Sequence, residues 1–256
     1  TAVNDAPTIT SLSGDSRAYS EGAGAVVIES GNAVVADVDS TNLDAGTLTV
    51  SIPAGGDAAE DVLSIRHQGT GAGQIGVSGG TVTYGGTTIG TFTGGSSGSN
   101  LVITFNASAT PTAVTALVRN ITYQNTDTDA PTTGARTVRF VLTDGDGGTS
   151  PNYNTTVTVS AVNDAPTDLA LSANIVAENA ANGTVVWTAT GTDPDTDPDT
   201  GDTKTYSFTD NPGGRFAINS STGQITVADG SLLNYEAATS HSVTVRVTDS
   251  GGLTYD

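Results

Sequence analysis

Aspartate is the residue type in this chain whose abundance and spacing could do chemistry. Twenty-two of the 27 acidic residues are Asp and five are Glu, against eight Lys and Arg, for a net charge of −19. Asp is a poor interior residue for helices and strands, a good turn residue and a ligand for hard cations. The acids are not scattered. Asp37-Val38-Asp39, Asp193-Pro194-Asp195 and Asp197-Pro198-Asp199 form short runs between stretches of alternating apolar residues. Scattered acids would serve solubility equally well, so two readings stand: solvated turn acids, or oxygen ligands for a hard cation.

Other chemistry is thinly supported. With no Cys there is no disulfide framework, no thiolate zinc site and no cysteine nucleophile. The two histidines, His67 and His241, lie far apart in the chain, lack a nucleophile–base–orienter pattern and read as surface or edge residues. Paired carboxylates for glycoside hydrolysis are not excluded by counting. The acids sit in turns, however, and aromatics for sugar stacking are few, so no enzyme is expected. Gly94–Asn100 reads as a hairpin tip rather than a phosphate cradle, because no helix and no Lys follow it. The negative field repels nucleic acid and anionic membranes. No run of about 18 apolar residues is present to suggest a transmembrane helix. Trp187, the sole Trp, falls in an alternating stretch and reads as core rather than as a sugar platform; Tyr84, Tyr153 and Tyr235 remain candidates for an exposed contact.

The elements that must position these residues are short strands. The string Ala-Val-Asn-Asp-Ala-Pro-Thr occurs at 2–8 and again at 161–167, each copy preceding alternating apolar residues and then an acidic cluster. Pro7 and Pro166 suit a stiff extended entry to a first strand. Two modules are therefore expected, 1–163 and 164–256. In the first, Leu48–Ile52, Val82–Tyr84, Thr87–Phe92, Leu101–Phe105, Thr137–Leu142 and Thr155–Ser160 predict strands joined by Gly-rich turns. Thr110–Asn120 predicts one short helix, with Thr110 as cap, Pro111 in the first turn, and Val114, Leu117 and Val118 on one face. In the second, Thr184–Thr190, Lys204–Thr209, Gln224–Val227 and Ser242–Thr248 predict strands. The fold class expected is all-β, two tandem antiparallel sandwiches, the first enlarged by Gly-rich hairpins and the helix.

Six landmarks in order along the second module carry a family likeness: Glu178-Asn179, the Asp-Pro-Asp runs with Gly201-Asp202 and Tyr206, Phe216-Ala217-Ile218, Thr222-Gly223-Gln224-Ile225, Leu233-Asn234-Tyr235-Glu236, and Val247-Thr248-Asp249 with Gly251-Gly252. Together they resemble the cadherin repeat. The first module is similar to a longer relative of the kind found in repetitive, type I secreted bacterial adhesins, through Tyr19-Ser20-Glu21, Asp37-Val38-Asp39, the Asn120–Asn125 string and Leu142-Thr143-Asp144.

That resemblance implies an extracellular or cell-surface chain binding Ca2+ at the joints between repeats. The middle joint would draw on Glu21 with Asn125 or Asp127, on Asn163 and Asp164, and on Asp193, Asp195, Asp197 or Asp199 together with Asp249. Asn4, Asp5, Asp37, Asp39 and Asp144 would serve a joint with a preceding repeat; Glu178, Asn234 and Glu236 one with a following repeat. The chain departs from the family pattern at Ala161, Ala165 and Asn234, which implies fewer ions or weaker binding. The family's closing strand after the Gly-Gly turn reads as missing, either truncated or supplied by a neighbour. The function implied is a calcium-rigidified spacer partnered by neighbouring repeats or identical subunits. A polysaccharide-binding module and a self-assembling filament or layer subunit are the alternatives.

Overall fold

The computed structural model describes residues 4–172, 174–195 and 203–256. The chain divides into two compact units, Thr1–Val162 and Asn163–Asp256.

The first module contains β1 (Thr8–Thr10), β2 (Ser16–Ser20), β3 (Val26–Val27), β4 (Val34–Ala36), β5 (Thr47–Ala54), β6 (Asp61–Ile65), β7 (Ile75–Ser78), β8 (Thr81–Tyr84), β9 (Thr87–Thr93), β10 (Leu101–Phe105), α1 (Pro111–Val118), β11 (Ile121–Asn125), β12 (Gly134–Leu142) and β13 (Tyr153–Ser160). Period-two burial sets the strand faces. On β12, Arg136, Val138, Phe140 and Leu142 point inward, and on β6 Asp61, Leu63 and Ile65 do. The large sheet runs β2-β13-β12-β5-β10-β9-β8-β7 and is antiparallel except where β2 lies parallel to β13. A smaller sheet, β3-β11-β6, and the pair β1-β4 complete the module. One core joins Leu48, Val50, Ile103 and Phe140 of the large sheet to Leu63, Ile121 and Tyr123 of the small one.

Helix α1 forms where the sequence predicts it. The Thr110 side chain accepts from the Ala113 N–H, Pro111 occupies the first turn, and Ala113, Val114, Leu117 and Val118 are buried. It stops as the chain enters the β-branched pair Ile121-Thr122, which favours a strand. Its Thr115 hydroxyl accepts from the Val35 N–H at 2.9 Å, which occupies an edge donor of β4.

The outer edge of β7 is capped by the preceding segment. Gln68 and Gly69 N–H donate to the Ile75 carbonyl, Gln68 Oε1 accepts from Ile75 N–H at 3.1 Å, and His67 Nδ1 accepts from Val77 N–H at 2.9 Å. His67 thus has a structural partner at a sheet edge. Strands β6 and β7 lack clean alternation in the sequence and were not expected from it.

The second module contains β14 (Asp168–Leu171), β15 (Val185–Thr192), β16 (Thr205–Asp210), β17 (Phe216–Ile218), β18 (Gln224–Val227), β19 (Thr244–Thr248) and β20 (Thr254–Tyr255). They form two sheets, β14-β15-β18-β17 and β16-β19-β20. A register shift between Val185 and Trp187 interrupts β15, so the consecutive residues Val186 and Trp187 are both buried, which strict alternation forbids. Trp187 packs on Phe216 with ring centroids 5.5 Å apart, in a core with Ile225, Val227, Val245 and Val247. After the Gly251-Gly252 turn, Thr254 and Tyr255 of β20 pair with Thr248 and Val247.

Among the described residues no helix is long and apolar enough to cross a membrane.

Candidate metal-binding clusters

At the start of the first module, four side chains gather around the entry segment. Asp144, fully buried after β12, accepts at Oδ2 from the Asn4 amide at 2.9 Å and at Oδ1 from Asp146 and Gly148 N–H at 2.8 and 2.9 Å. Asp39 Oδ2 accepts from Asp5 N–H at 3.2 Å, and Asp37 Oδ1 accepts from the N–H groups of Asp39 and Ser40. The close approach depends on Gly148: a Cβ there would stand 2.1 Å from Asp144 Oδ2 and 3.0 Å from Asn4 Nδ2.

The second module repeats this circuit element by element. Asp249, buried after β19, accepts at Oδ2 from the Asn163 amide at 3.0 Å and at Oδ1 from Leu253 N–H at 2.8 Å. Asp195 Oδ2 accepts from Asp164 N–H at 2.5 Å, and Asp193 Oδ1 accepts from Asp195 N–H at 3.2 Å. Gly251 stands where Gly148 does, since a Cβ on it would come within 2.5 Å of the Asn163 side chain. The repeated Asn-Asp of the two entry segments thus meets equivalent acids in both modules. Of the doubled Asp-Pro-Asp unit, the first pair occupies the place of Asp37 and Asp39. Asp197 and Asp199 lie outside the described residues.

Electrostatics keep Asp144 anionic. Burial raises its carboxyl, but the hydrogen bonds from Asn4 and from the backbone of Asp146, Gly148 and Gly147 outweigh it and hold the group below the usual carboxylate value. Asp37 behaves oppositely: burial, with Asp39 close by, pushes its carboxyl up despite two backbone donors. Its Oδ2 is buried and has no hydrogen-bond partner. Among the described residues, the hydrogen-bond partners of Asp144, Asp195 and Asp249 are backbone N–H groups and Asn amides. The donor set is all oxygen, as a hard cation requires, and a buried carboxylate oxygen without a donor fits the same need. By count each cluster is incomplete. Among the described residues no three acidic or histidine side chains converge closely enough to hold an ion as they stand.

The other expected ligands are placed as follows. Glu21, at the end of β2, accepts from Val162 N–H at 2.7 Å. Asp127 accepts from the N–H groups of Asp129 and Ala130, which hold its carboxyl below the usual range. Glu178 accepts from Tyr235 N–H at 3.2 Å, Asn234 caps its own turn through Ala237 N–H, and Glu236 is exposed.

A buried polar network in the first module has no motif in the sequence. Arg136 is fully buried and pairs with Asp61 at 3.3 Å. Tyr123 donates to Asp61 Oδ1 at 2.5 Å, Asp57 N–H donates to Oδ2 at 2.8 Å, and Arg136 also donates to the Thr132 and Gly134 carbonyls. Burial and then the Asp61 contact push the Tyr123 phenol up. Asn125 joins the network through Glu60 at 2.9 Å, and Tyr19 donates to the Asn125 carbonyl at 3.0 Å. Asn125, one of the expected cation ligands, is therefore occupied in holding two strands and a loop together. The one available signal was that Arg136 falls in phase with Val138, Phe140 and Leu142.

Residues 174–255 match the family model of the cadherin domain. The match covers less than half of the chain and speaks for the second module alone. Among solved structures the chain is similar to protocadherin gamma B7 extracellular cadherin domains 1–4, with 17% identity, 99% of this chain and 49% of that one covered, and a TM-score of 0.48. It is also similar to mouse cadherin-23 EC22-24, with 18% identity, 98% and 64% coverage and a TM-score of 0.47. A third is chicken VE-cadherin EC1-2, with 17% identity, 94% and 92% coverage and a TM-score of 0.40. The chain spans about half the length of the first of these. No curated protein sequence matches it. The second module is thus similar to the cadherin domain over residues 174–255, and among the described residues the chain is all-β apart from one short α-helix and two 3-10 turns.

Proposed function

We propose that this chain is an extracellular adhesion-type spacer whose modules are stiffened by calcium, as part of a repetitive bacterial surface protein. The observation that carries the reading is the duplicated circuit: Asn4 with Asp144 and Asp5 with Asp39 in one module, Asn163 with Asp249 and Asp164 with Asp195 in the other. Two copies of an arrangement that gathers carboxylates around an Asn amide and backbone N–H groups are difficult to explain as solubility features. Turn acids serving solubility alone would be free to face water.

In this reading Asp37, Asp39 and Asp144 with Asn4 and Asp5 would hold one ion. Asp193, Asp195 and Asp249 with Asn163 and Asp164 would hold another. When bound, the ion would supply positive charge to these carboxylates. Ion binding to such a cluster would fix the entry segment of a module against its acidic loop, and without the ion the like charges repel.

The test is calorimetric titration of the chelated chain with calcium, alongside small-angle scattering. Binding with Kd between roughly 10−6 and 10−3 M, a lengthening of the maximum dimension, and at least about tenfold weaker binding in Asp249→Asn are expected. No heat and an unchanged scattering profile would sink the proposal and leave the clusters as solvated turns.

A further inference from the structure

The second module has a pocket of about 250 Å3 whose lining includes Glu178 and Asn234, two residues that the resemblance assigned to a joint with a following repeat. Its lining includes the rings of Trp187, Phe216 and Tyr235 and the polar residues Asn174, Glu178, Asn234 and His241. Tyr235 is 63% exposed and Trp187 only 7%. Trp187 is therefore the core residue that the alternation suggests, yet part of it reaches this opening. Its indole N–H is buried and has no acceptor. Buried Trp N–H groups usually find a partner, and leaving one unmade destabilises the folded state.

Three properties narrow the occupant. The volume lies below the roughly 300–1,000 Å3 of sites for drug-sized ligands, which suits a single ring. The lining alternates aromatic faces with amide and carboxylate groups, so an occupant needs an apolar face and hydroxyls on its rim. The lining holds one carboxylate, Glu178, and one imidazole, His241, with no Lys or Arg, and the chain's net charge of −19 disfavours an anion.

We propose that this pocket binds one neutral sugar ring of an uncharged glycan, stacked on Tyr235, with hydroxyls to Asn174, Glu178 and Asn234. Glu178 accepts from the Tyr235 N–H and so also positions the stacking ring. The proposal does not rest on calcium, because these groups need no ion to bind a hydroxyl, and titration in chelator separates this role of Glu178 and Asn234 from ion binding.

Trp187 is the sole Trp, so its fluorescence reports on the pocket without a label. The full chain is titrated with glucose, galactose, mannose, N-acetylglucosamine and their disaccharides, and with glucuronate and galacturonate, each in calcium and in excess chelator. Expected is a saturable emission change with at least one neutral sugar, in both conditions, and none with the uronates. Tyr235→Ala, at an exposed position that should not disturb folding, is expected to weaken that binding roughly tenfold. Asn174→Ala provides a second variant that leaves the core intact and is also expected to weaken binding. No saturable change with any neutral sugar, equal binding by Tyr235→Ala, or preference for a uronate overturns the proposal. So does an emission change that follows protein concentration alone, which would assign the pocket to a second copy of the chain. Sugar binding only in calcium would overturn this inference while leaving the calcium reading intact.

Discussion

Replacing Asp61 with Ala removes the one carboxylate that faces the fully buried Arg136 guanidinium. The pair stands at 3.3 Å, and the same carboxylate accepts from the Tyr123 hydroxyl and from Asp57 N–H. Taking one partner from a buried ion pair costs roughly 3–5 kcal/mol, because the remaining charge is desolvated and uncompensated. Stranding the Tyr123 hydroxyl adds to this, whereas the two carbonyls of Thr132 and Gly134 that still accept from Arg136 limit it. A loss of about 4 kcal/mol, at a urea m-value of about 2 kcal/mol/M, lowers the midpoint by about 2 M. The assay is urea unfolding of the whole chain followed by far-ultraviolet circular dichroism and by Trp187 emission together. The only Trp lies in the second module, so its transition should stay in place while the first module's dichroism shifts. A double variant, Asp61→Leu with Arg136→Met, should recover most of the loss, since apolar replacement of a whole buried pair is often neutral or stabilising. A midpoint shift under about 0.5 M in Asp61→Ala, or no recovery in the double variant, refutes the assignment of this pair as a buried interaction.

Two smaller predictions accompany it. Thr110→Ala removes the side chain that caps α1 at Ala113 N–H and should cost about 1 kcal/mol, a fall of roughly 2–4 °C in the first module's calorimetric Tm. Asp144, held below its ordinary value near 3.8, contributes stability that is present above that value and lost as pH falls through the depressed folded-state one. Urea midpoints taken from about pH 6 to about pH 3 should therefore fall more steeply for the parent chain than for Asp144→Asn. Parallel pH curves would show that Asp144 ionisation does not stabilise the fold.

What the sequence made legible follows from how local each signal is. Thr110-Pro111 with Val114, Leu117 and Val118 states a helix within one window, and β10 and β18 alternate cleanly enough to be read to the residue. The short strands β6 and β7 gave too little to read: one opens on Asp61, and the other contains Gly76 and lies among glycines. Trp187 and Val186 defied the alternation because a bulge, invisible in one strand alone, turns both inward. The Asn4–Asp144 and Asn163–Asp249 contacts were foreshadowed by the repeated entry string and the two Thr-Asp turns, although the partners are 140 and 86 residues apart. Asp61 and Arg136 carried no such duplicate. Their pairing depends on β6 and β12 facing one core, which is a property of the assembled sheets and not of any segment.

The capped edge of β7 has a consequence for how such a chain reaches its folded state. In a tandem array each module is tethered to neighbours at effective concentrations that can reach about the millimolar range. An open edge on an eight-stranded sheet would offer a neighbour's strand a place to dock before either module had finished folding. By spending the His67 imidazole and the Gln68 amide on the outward N–H groups of β7, the first module closes that route from within its own hairpin. Substituting these two residues should therefore leave the finished fold nearly unchanged. The effect should fall on the partition between correct folding and strand exchange, visible as lost refolding yield that worsens with the number of linked copies.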